Sequence, residues 1–387
     1  MNSRERLLSA LTGNIPDRLP VTTHHIMDYF RNTYMNGKSN LEIFEHFGLD
    51  PIHWTAPLRP NLSAGDYYDP VDLTSVEPTH SRWIINDEWR ITSKEIPDQK
   101  FLATRFTITT PKGELTAVLQ TNQYSTWVAE HLIKEKKDID LIAEFSSNPL
   151  CDVARVNNEA QAFGERGIIR GHIPGFDIYG QPGCWQDAAI LVGIEKLIME
   201  TYDDPAWVHE LLYILFQRKA NFVNSLEGAH YDLLELGGGD ASSTVISPKI
   251  FREFVAPYDA RLIELAHQAG QCIVYHTCGG MMPILDDIAA MQPDAIETFT
   301  PKGLGGDVNL AEAKKRIGDK ICMIGGFDQS RYLWGCSEAE TRQAVRDCFE
   351  AAGSNGGFIL CPSDHFFDAE PKLLAAFAEE AHKCLYS

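Results

Sequence analysis

The fold is decided by the stretch YDLLELGGGD at residues 231–240, where a short apolar run ends in three glycines and a carboxylate. Four similar runs follow it, and a helical stretch separates each run from the next. The first of these helices has Ser247 as N-cap and Pro248 at its first position. Such alternation predicts parallel strands joined by right-handed crossovers. The predicted strands are 231–236, 272–275, 295–298, 321–324 and 357–360, and the predicted helices are 247–269, 281–291, 309–317, 337–352 and 370–384.

Residues further upstream extend this pattern. Strands are expected at 18–22 and 167–172, and a long helical region at about 186–228. Residues 81–122 instead alternate between apolar and polar side chains around a Pro-Lys-Gly turn, which predicts an antiparallel meander. We therefore predict an α/β fold in which residues 1–387 form one (β/α)8 barrel domain with the meander as an insertion. A doubly wound open sheet is the alternative.

Composition excludes several classes of protein. The chain has 387 residues, with 34 Lys and Arg against 54 Asp and Glu, a formal charge of -20. Such an acidic chain repels nucleic-acid phosphates and anionic membrane surfaces. It has no apolar run of 18 residues, and its first residues lack the apolar core of a signal peptide, so we expect a cytoplasmic protein. The nine cysteines are odd in number and irregular in spacing, which argues against a disulfide framework.

Chemically active side chains follow the five predicted strands at the end where a parallel barrel carries its site. Repetition of this placement predicts a concave polar site at that rim. Glu235 lies inside an apolar strand, where a carboxylate is costly unless it is paired or bound to a metal. Asp240 either faces substrate or caps the next segment, and these two acids are the predicted catalytic residues. The predicted substrate-binding residues are His25, Tyr179, Glu297, Asp328, Asp364 and His365.

The pair His276-x-Cys278 is the sharpest signal. At a strand end, residues two apart can project to the same side and bind one zinc ion. Cys361, at the tip of the last strand, would complete a set of three ligands and leave a fourth position open, as catalytic zinc requires. The alternative is that the histidine makes a hydrogen bond in a polar pocket and both cysteines only pack. Alternation along a strand further predicts that only one of His24 and His25 faces the mouth.

Five segments together resemble the uroporphyrinogen decarboxylase superfamily, whose members are (β/α)8 barrels. The resemblance covers nearly the whole chain and is strongest from residue 229 onward. The segments that carry it are RERLLSAL at 4–11, PDRLPV at 16–21, SPKIFREF at 247–254 with Pro257-Tyr258, HTCG at 276–279 and GGFD at 325–328.

Two branches of this superfamily compete. True decarboxylases bind the carboxylates of a tetrapyrrole through an Arg-rich N-terminal segment, whereas this chain has TTHHIMDYF at 22–30. Its acidic charge also attracts a polyanion poorly. The other branch contains zinc-dependent, cobalamin-linked methyltransferases similar to methylcobalamin:coenzyme M methyltransferases. Their last zinc ligand lies in a Pro-Gly-Cys segment. This chain departs from that pattern, so the third ligand could be Cys361, Asp364 or His365.

The resemblance therefore implies a zinc-dependent methyltransferase that moves a methyl group between a small donor or thiol acceptor and cobalamin. No cobalamin-binding Asp-x-His-x-x-Gly motif occurs in the chain, so the cobalamin should arrive on a partner corrinoid protein. The superfamily also suggests a homodimer. The alternatives are a metal-independent decarboxylase of the same superfamily and a non-enzymatic barrel that binds a small ligand.

Overall fold

The core of the molecule is a parallel sheet of seven strands that follow one another in chain order. The computed structural model describes residues 1–70 and 83–386. Nearly every residue of these strands is buried, as expected for a sheet that is covered on both faces. Numbered along the sheet, the seven barrel strands are Ile52–Trp54, Ile168–His172, Leu233–Gly237, Ile273–His276, Ala295–Thr298, Cys322–Phe327 and Phe358–Pro362.

The segment around Val21 closes the sheet. Val21 forms a parallel bridge with Leu360 in the seventh strand, and its carbonyl accepts a hydrogen bond from the amide of Asp50, next to the first strand. The segment thus takes the eighth position between the two edges, which leaves neither edge open. The predicted α/β barrel is confirmed, although the strand expected at 18–22 is reduced to one bridge and the first strand was not predicted.

Helices alternate with the strands and cover the outside of the barrel. Three separate helices replace the single helical region expected at 186–228, because Gly193 has φ 93° and Pro205 begins a new helix after the N-cap Asp204. The helices are Ser3–Leu11, Asp28–Tyr34, Asn40–Phe47, Asp138–Phe145, Val153–Phe163, Cys184–Val192, Ile194–Asp203, Pro205–Asn224, Pro248–Ile250, Ala256–Gln268, Leu285–Ala290, Leu310–Ile317, Gln329–Tyr332, Glu338–Ala352 and Pro371–Ala381, with a π-helical segment at Phe251–Val255.

A four-stranded antiparallel sheet decorates the N-terminal part of the barrel. Its strands are Arg90–Ile96, Leu102–Thr110, Gly113–Thr121 and Thr126–Glu130. The sheet therefore extends beyond the predicted boundary at 122, while positions 81 and 82 of that prediction lie outside the described residues. Two small antiparallel pairs join Leu58–Arg59 to Leu150–Cys151 and Tyr67–Tyr68 to Ile84–Ile85.

Buried ion pairs attach the N-terminal segment to the barrel. The fully buried carboxylate of Asp50 bonds Arg6 at 2.7 Å and Arg18 at 3.1 Å, and it also accepts a hydrogen bond from the amide of Val21 at 3.0 Å.

All nine cysteines of the chain are free thiols. In the part of the chain that the structure describes, no helix is both long and apolar enough to cross a bilayer.

Candidate functional site

The register of the barrel strands brings acids and histidines to the same level at their carboxyl ends. Glu235 lies beside His172, His276 beside Gly237, and Glu297 beside His276. The side chains of His24, Glu235, His276 and Glu297 meet at this level, and their ligand atoms lie within 4.8 Å of one another. With a central arginine they form what we call the buried cluster, which consists of His24, Arg170, Glu235, His276 and Glu297.

Arg170 lies at the centre of the buried cluster and is 1% exposed. Its Nη2 bonds Glu297 at 2.5 Å and Glu235 at 3.0 Å. Its guanidinium also lies 4.4 Å from the Trp54 ring centroid, in a cation–π contact. His24 Nε2 lies 3.1 Å from both carboxylates. The arginine already occupies the space between the two acids, so this group is a charge network that holds its histidines in place.

These contacts shift the pKa values of the acids and histidines in the buried cluster. Burial alone would raise the pKa of Glu235, but the charges of His24 and His276 outweigh it and lower the pKa below its usual range. Burial likewise opposes protonation of His276, yet Glu235, Cys278 and Glu297 hold its pKa well above the usual value. Burial also opposes protonation of His24, but Glu297 and Glu235 together outweigh it and raise the His24 pKa. The buried cluster therefore favours positive charge on its histidines.

His276 and Cys278 lie together, as the His-x-Cys spacing predicted. The two side chains are close enough that Cys278 is one of the groups that raise the pKa of His276. The ring Nδ1 of His276 lies 2.9 Å from Glu297 Oε1, so Nε2 is the nitrogen left for another partner. A Cβ atom at Gly239 would stand 2.6 Å from the sulfur of Cys278, so the bare glycine provides room for the thiol.

A small cavity adjoins His276. Its volume of about 10 Å³ is close to the room that one water-sized particle needs. Burial raises the pKa of the Cys361 thiol, so this thiol is protonated unless a cation binds it. The donors around the cavity are of the types that zinc prefers. The residues that line it are His24, His276, Glu297, Thr298, Ile324, Cys361, Pro362, Ser363 and Asp364.

His25 and His365 also lie against the ring of His24. The His25 ring is 4.3 Å from the ring of His24 and 5.1 Å from that of His365, and it stacks on Trp54. Burial and the charge of His24 lower the pKa of His25 well below its usual value, and the same causes lower the pKa of His365 to about 4. Both imidazoles are thus neutral at pH 7.

The other predicted site residues have different surroundings. Asp240 is held by Gln186, which donates to its Oδ2 at 2.7 Å, and burial raises its pKa. Asp364 is 40% exposed and accepts the amide of His365. Asp328 is the N-cap of the helix Gln329–Tyr332. Tyr179 donates to the carbonyl of Thr126 in the meander and lines a separate apolar cavity between the meander and the barrel.

Sequence reasoning missed one member of the buried cluster, Arg170. Arg170 was assigned to a strand without a role, although an arginine between apolar residues in a buried strand needs an acid partner. Alternation predicted that only one of His24 and His25 faces the mouth, and in the structure both rings lie close to that of His365. The chain leaves the strand conformation after the bridge at Val21, so alternation does not apply to them.

Comparisons with known proteins agree with this architecture. The sequence model of the family described as Uroporphyrinogen decarboxylase (URO-D) matches residues 178–384. The chain belongs to this family. The uroporphyrinogen decarboxylase of Aliivibrio salmonicida is 27% identical over 66% of this chain and 70% of its own length. That of Thioalkalivibrio sulfidiphilus is 26% identical over 56% and 61%.

A solved structure shares the fold. A methyltransferase from Methanosarcina mazei superimposes on the chain with a TM-score of 0.61 at 15% sequence identity. The superposition covers 99% of each chain, so the likeness includes the N-terminal part that the family model does not match.

Proposed function

We propose that this chain is a zinc-dependent methyltransferase of a corrinoid system. It moves a methyl group between a small donor or thiol acceptor and the cobalamin of a partner corrinoid protein. The observation that carries the proposal is the ion-sized cavity that is lined by His276 and Cys361. The shared barrel fold supports it, because the Methanosarcina mazei protein is named a methyltransferase. Free thiols suit a reducing compartment, and we infer a cytoplasmic enzyme.

We assign His276, Cys278 and Cys361 as the zinc ligands. Glu297 engages Nδ1 of His276 at 2.9 Å, and this carboxylate–histidine pairing is usual for ligands of zinc. Cys361 lines the cavity together with His276, whereas His365 lies against His25. One histidine and two thiolates leave a fourth position for substrate.

Zinc at this position would supply Lewis acidity, which lowers the pKa of a substrate thiol or polarises a methyl donor. Residues of this chain would orient the ligand His276 and transfer the proton. Arg170 and the two acids of the buried cluster fix the orientation of His276. We assign to Asp240 the transfer of the proton that the thiol loses, because burial raises its pKa and Gln186 holds its carboxylate in place.

A metal-independent decarboxylase is the second candidate, and the curated relatives favour it by name. The carboxylates of a porphyrinogen need cationic partners in the barrel. The guanidinium of Arg170 is shared between Glu235 and Glu297, so within the buried cluster it is not available to a substrate carboxylate.

An activity assay separates the two candidates. The purified zinc-loaded chain is supplied with methylcobalamin and a thiol, or with a methoxy donor and cob(I)alamin, and the visible spectrum of the corrinoid is followed. We expect a spectral change that requires zinc and is lost in Cys278→Ser but kept in the exposed-cysteine control Cys272→Ser. Zinc-independent release of CO2 from a porphyrinogen, without corrinoid conversion, would instead establish the decarboxylase.

A further inference from the structure

A second group of possible metal ligands shares His24 with the buried cluster. It consists of His24, His25 and His365, which we call the histidine trio. One ring nitrogen from each residue lies within 4.8 Å of the other two. Nitrogens that bind one tetrahedral zinc ion at about 2.0–2.1 Å lie about 3.3 Å apart. The three rings must therefore move towards one another by up to about 1.5 Å to bind one ion.

The free nitrogens of the histidine trio are the second observation. His24 Nε2 lies 3.1 Å from the carboxylates of both Glu235 and Glu297, which leaves Nδ1 for another partner. That Nδ1 atom is buried and has no hydrogen-bond partner, and the same is true of Nδ1 in His365. A buried polar atom without a partner is costly, and a bound cation removes that cost.

Charge in the surroundings also favours a cation. Two carboxylates face the single guanidinium of Arg170 in the buried cluster, so one negative charge is left, which either a proton on a histidine or a bound cation can balance. A histidine that is held by a carboxylate on one nitrogen and open on the other has the arrangement usual for metal ligands.

The third imidazole is held in place by packing. His25 stacks on Trp54 at 4.3 Å with an angle of 29° between the rings. Trp54 Nε1 in turn donates to the carbonyl of His24 at 2.8 Å. These two contacts hold the His24-His25 segment against the first barrel strand, so two members of the trio are held in place without a ligand.

We propose that the histidine trio binds a divalent cation of the zinc type, at a site distinct from that of His276 and Cys278. Three imidazoles suit zinc, cobalt or nickel and leave further coordination positions open. A metal ion can reach the site from solvent, since the side chain of His365 is 34% exposed. The inference does not depend on the proposed function.

Cobalt substitution tests this proposal. Cobalt(II) bound by a thiolate shows a sulfur-to-metal charge-transfer band, whereas cobalt(II) bound only by imidazoles does not. We expect the double variant Cys278→Ser, Cys361→Ser to retain about one equivalent of cobalt without that band. The double variant His25→Gln, His365→Gln should lose about one equivalent while the band of the wild type persists. The exposed His230→Gln is the control and should match the wild type.

The outcomes are distinguishable. Equal cobalt content in the wild type and in His25→Gln, His365→Gln would overturn the trio site, and so would complete loss of cobalt from the folded cysteine variant. A wild type that binds cobalt without a charge-transfer band, and loses it in the histidine variant, would support the trio and contradict the thiolate site. Circular dichroism of each variant verifies that the barrel has folded.

Discussion

Glu297 connects the two candidate sites at the scale of single residues. One of its oxygens, Oε1, lies 3.1 Å from His24 Nε2 and 2.9 Å from His276 Nδ1, and it also accepts from Arg170. The side chain is 2% exposed. One carboxylate thus orients a histidine of each proposed site, so its loss should affect metal binding without removing any ligand.

The variant Glu297→Gln tests this role. We expect zinc affinity to fall by about 10–100-fold, the range typical for partners of metal-bound histidines. The measurement is a competitive titration of zinc against a chromophoric chelator. The exposed Glu350→Gln serves as the control, and an affinity unchanged in both variants would contradict the role of Glu297.

Gly239 offers a second test at this scale. A methyl group at this position would stand 2.6 Å from the Cys278 sulfur, so the thiol must move. Gly239→Ala should weaken zinc binding by at least about tenfold. Gly113→Ala is the matched control, because its Cβ would meet only an ordinary contact at 3.5 Å. Equal zinc affinity in the two variants would show that Cys278 is not a ligand.

At the scale of elements, the sequence predicted the later strands well and the beginning of the barrel poorly. Runs such as 295–298 are apolar, short and bounded by turns, so the local sequence pattern is sufficient to predict them as strands. Closure by the Val21 segment depends on one bridge and on Asp50, contacts that join residues distant in sequence. The His-x-Cys pair could be predicted because its two residues are close in sequence. The role of Arg170 instead depends on Glu235 and Glu297, which are 65 and 127 residues away.

Asp50 should therefore dominate the stability of the closing segment. Asp50→Ala leaves two buried or partly buried guanidinium groups, those of Arg6 and Arg18, without their shared carboxylate. We expect a loss of about 3–5 kcal/mol in the free energy of unfolding, as for other broken buried pairs. Urea denaturation measures it. The control Asp17→Ala, at a carboxylate that is 40% exposed, should cost less than about 1 kcal/mol. Equal losses in the two variants would contradict the dominant role of Asp50.

At the scale of the whole molecule, one buried acid makes stability depend on pH. Burial raises the pKa of Asp259 to about 6, although the hydroxyl of Tyr275 donates to it at 3.0 Å and acts in the opposite direction. The folded state therefore binds the proton more tightly than the unfolded state. This contribution to stability is present below the usual carboxyl pKa and is lost as pH rises through about 6.

Asp259→Asn removes that dependence. Relative to the wild type, it should be more stable by up to about 3 kcal/mol at pH 7.5 and nearly equal at pH 4. Urea denaturation at the two pH values gives the difference. The exposed Asp319→Asn should show no such change between the two pH values, and a pH-independent effect of Asp259→Asn would refute the explanation.

We infer that this member of the uroporphyrinogen decarboxylase family binds zinc through His276 and Cys278. The most direct test is the zinc content of the chain after purification without chelators, compared with that of His276→Ala and Cys278→Ser. We expect each variant to lose about one equivalent relative to the wild type, while Cys272→Ser loses none. A wild type with less than about a tenth of an equivalent, or zinc content unchanged in both variants, would contradict it.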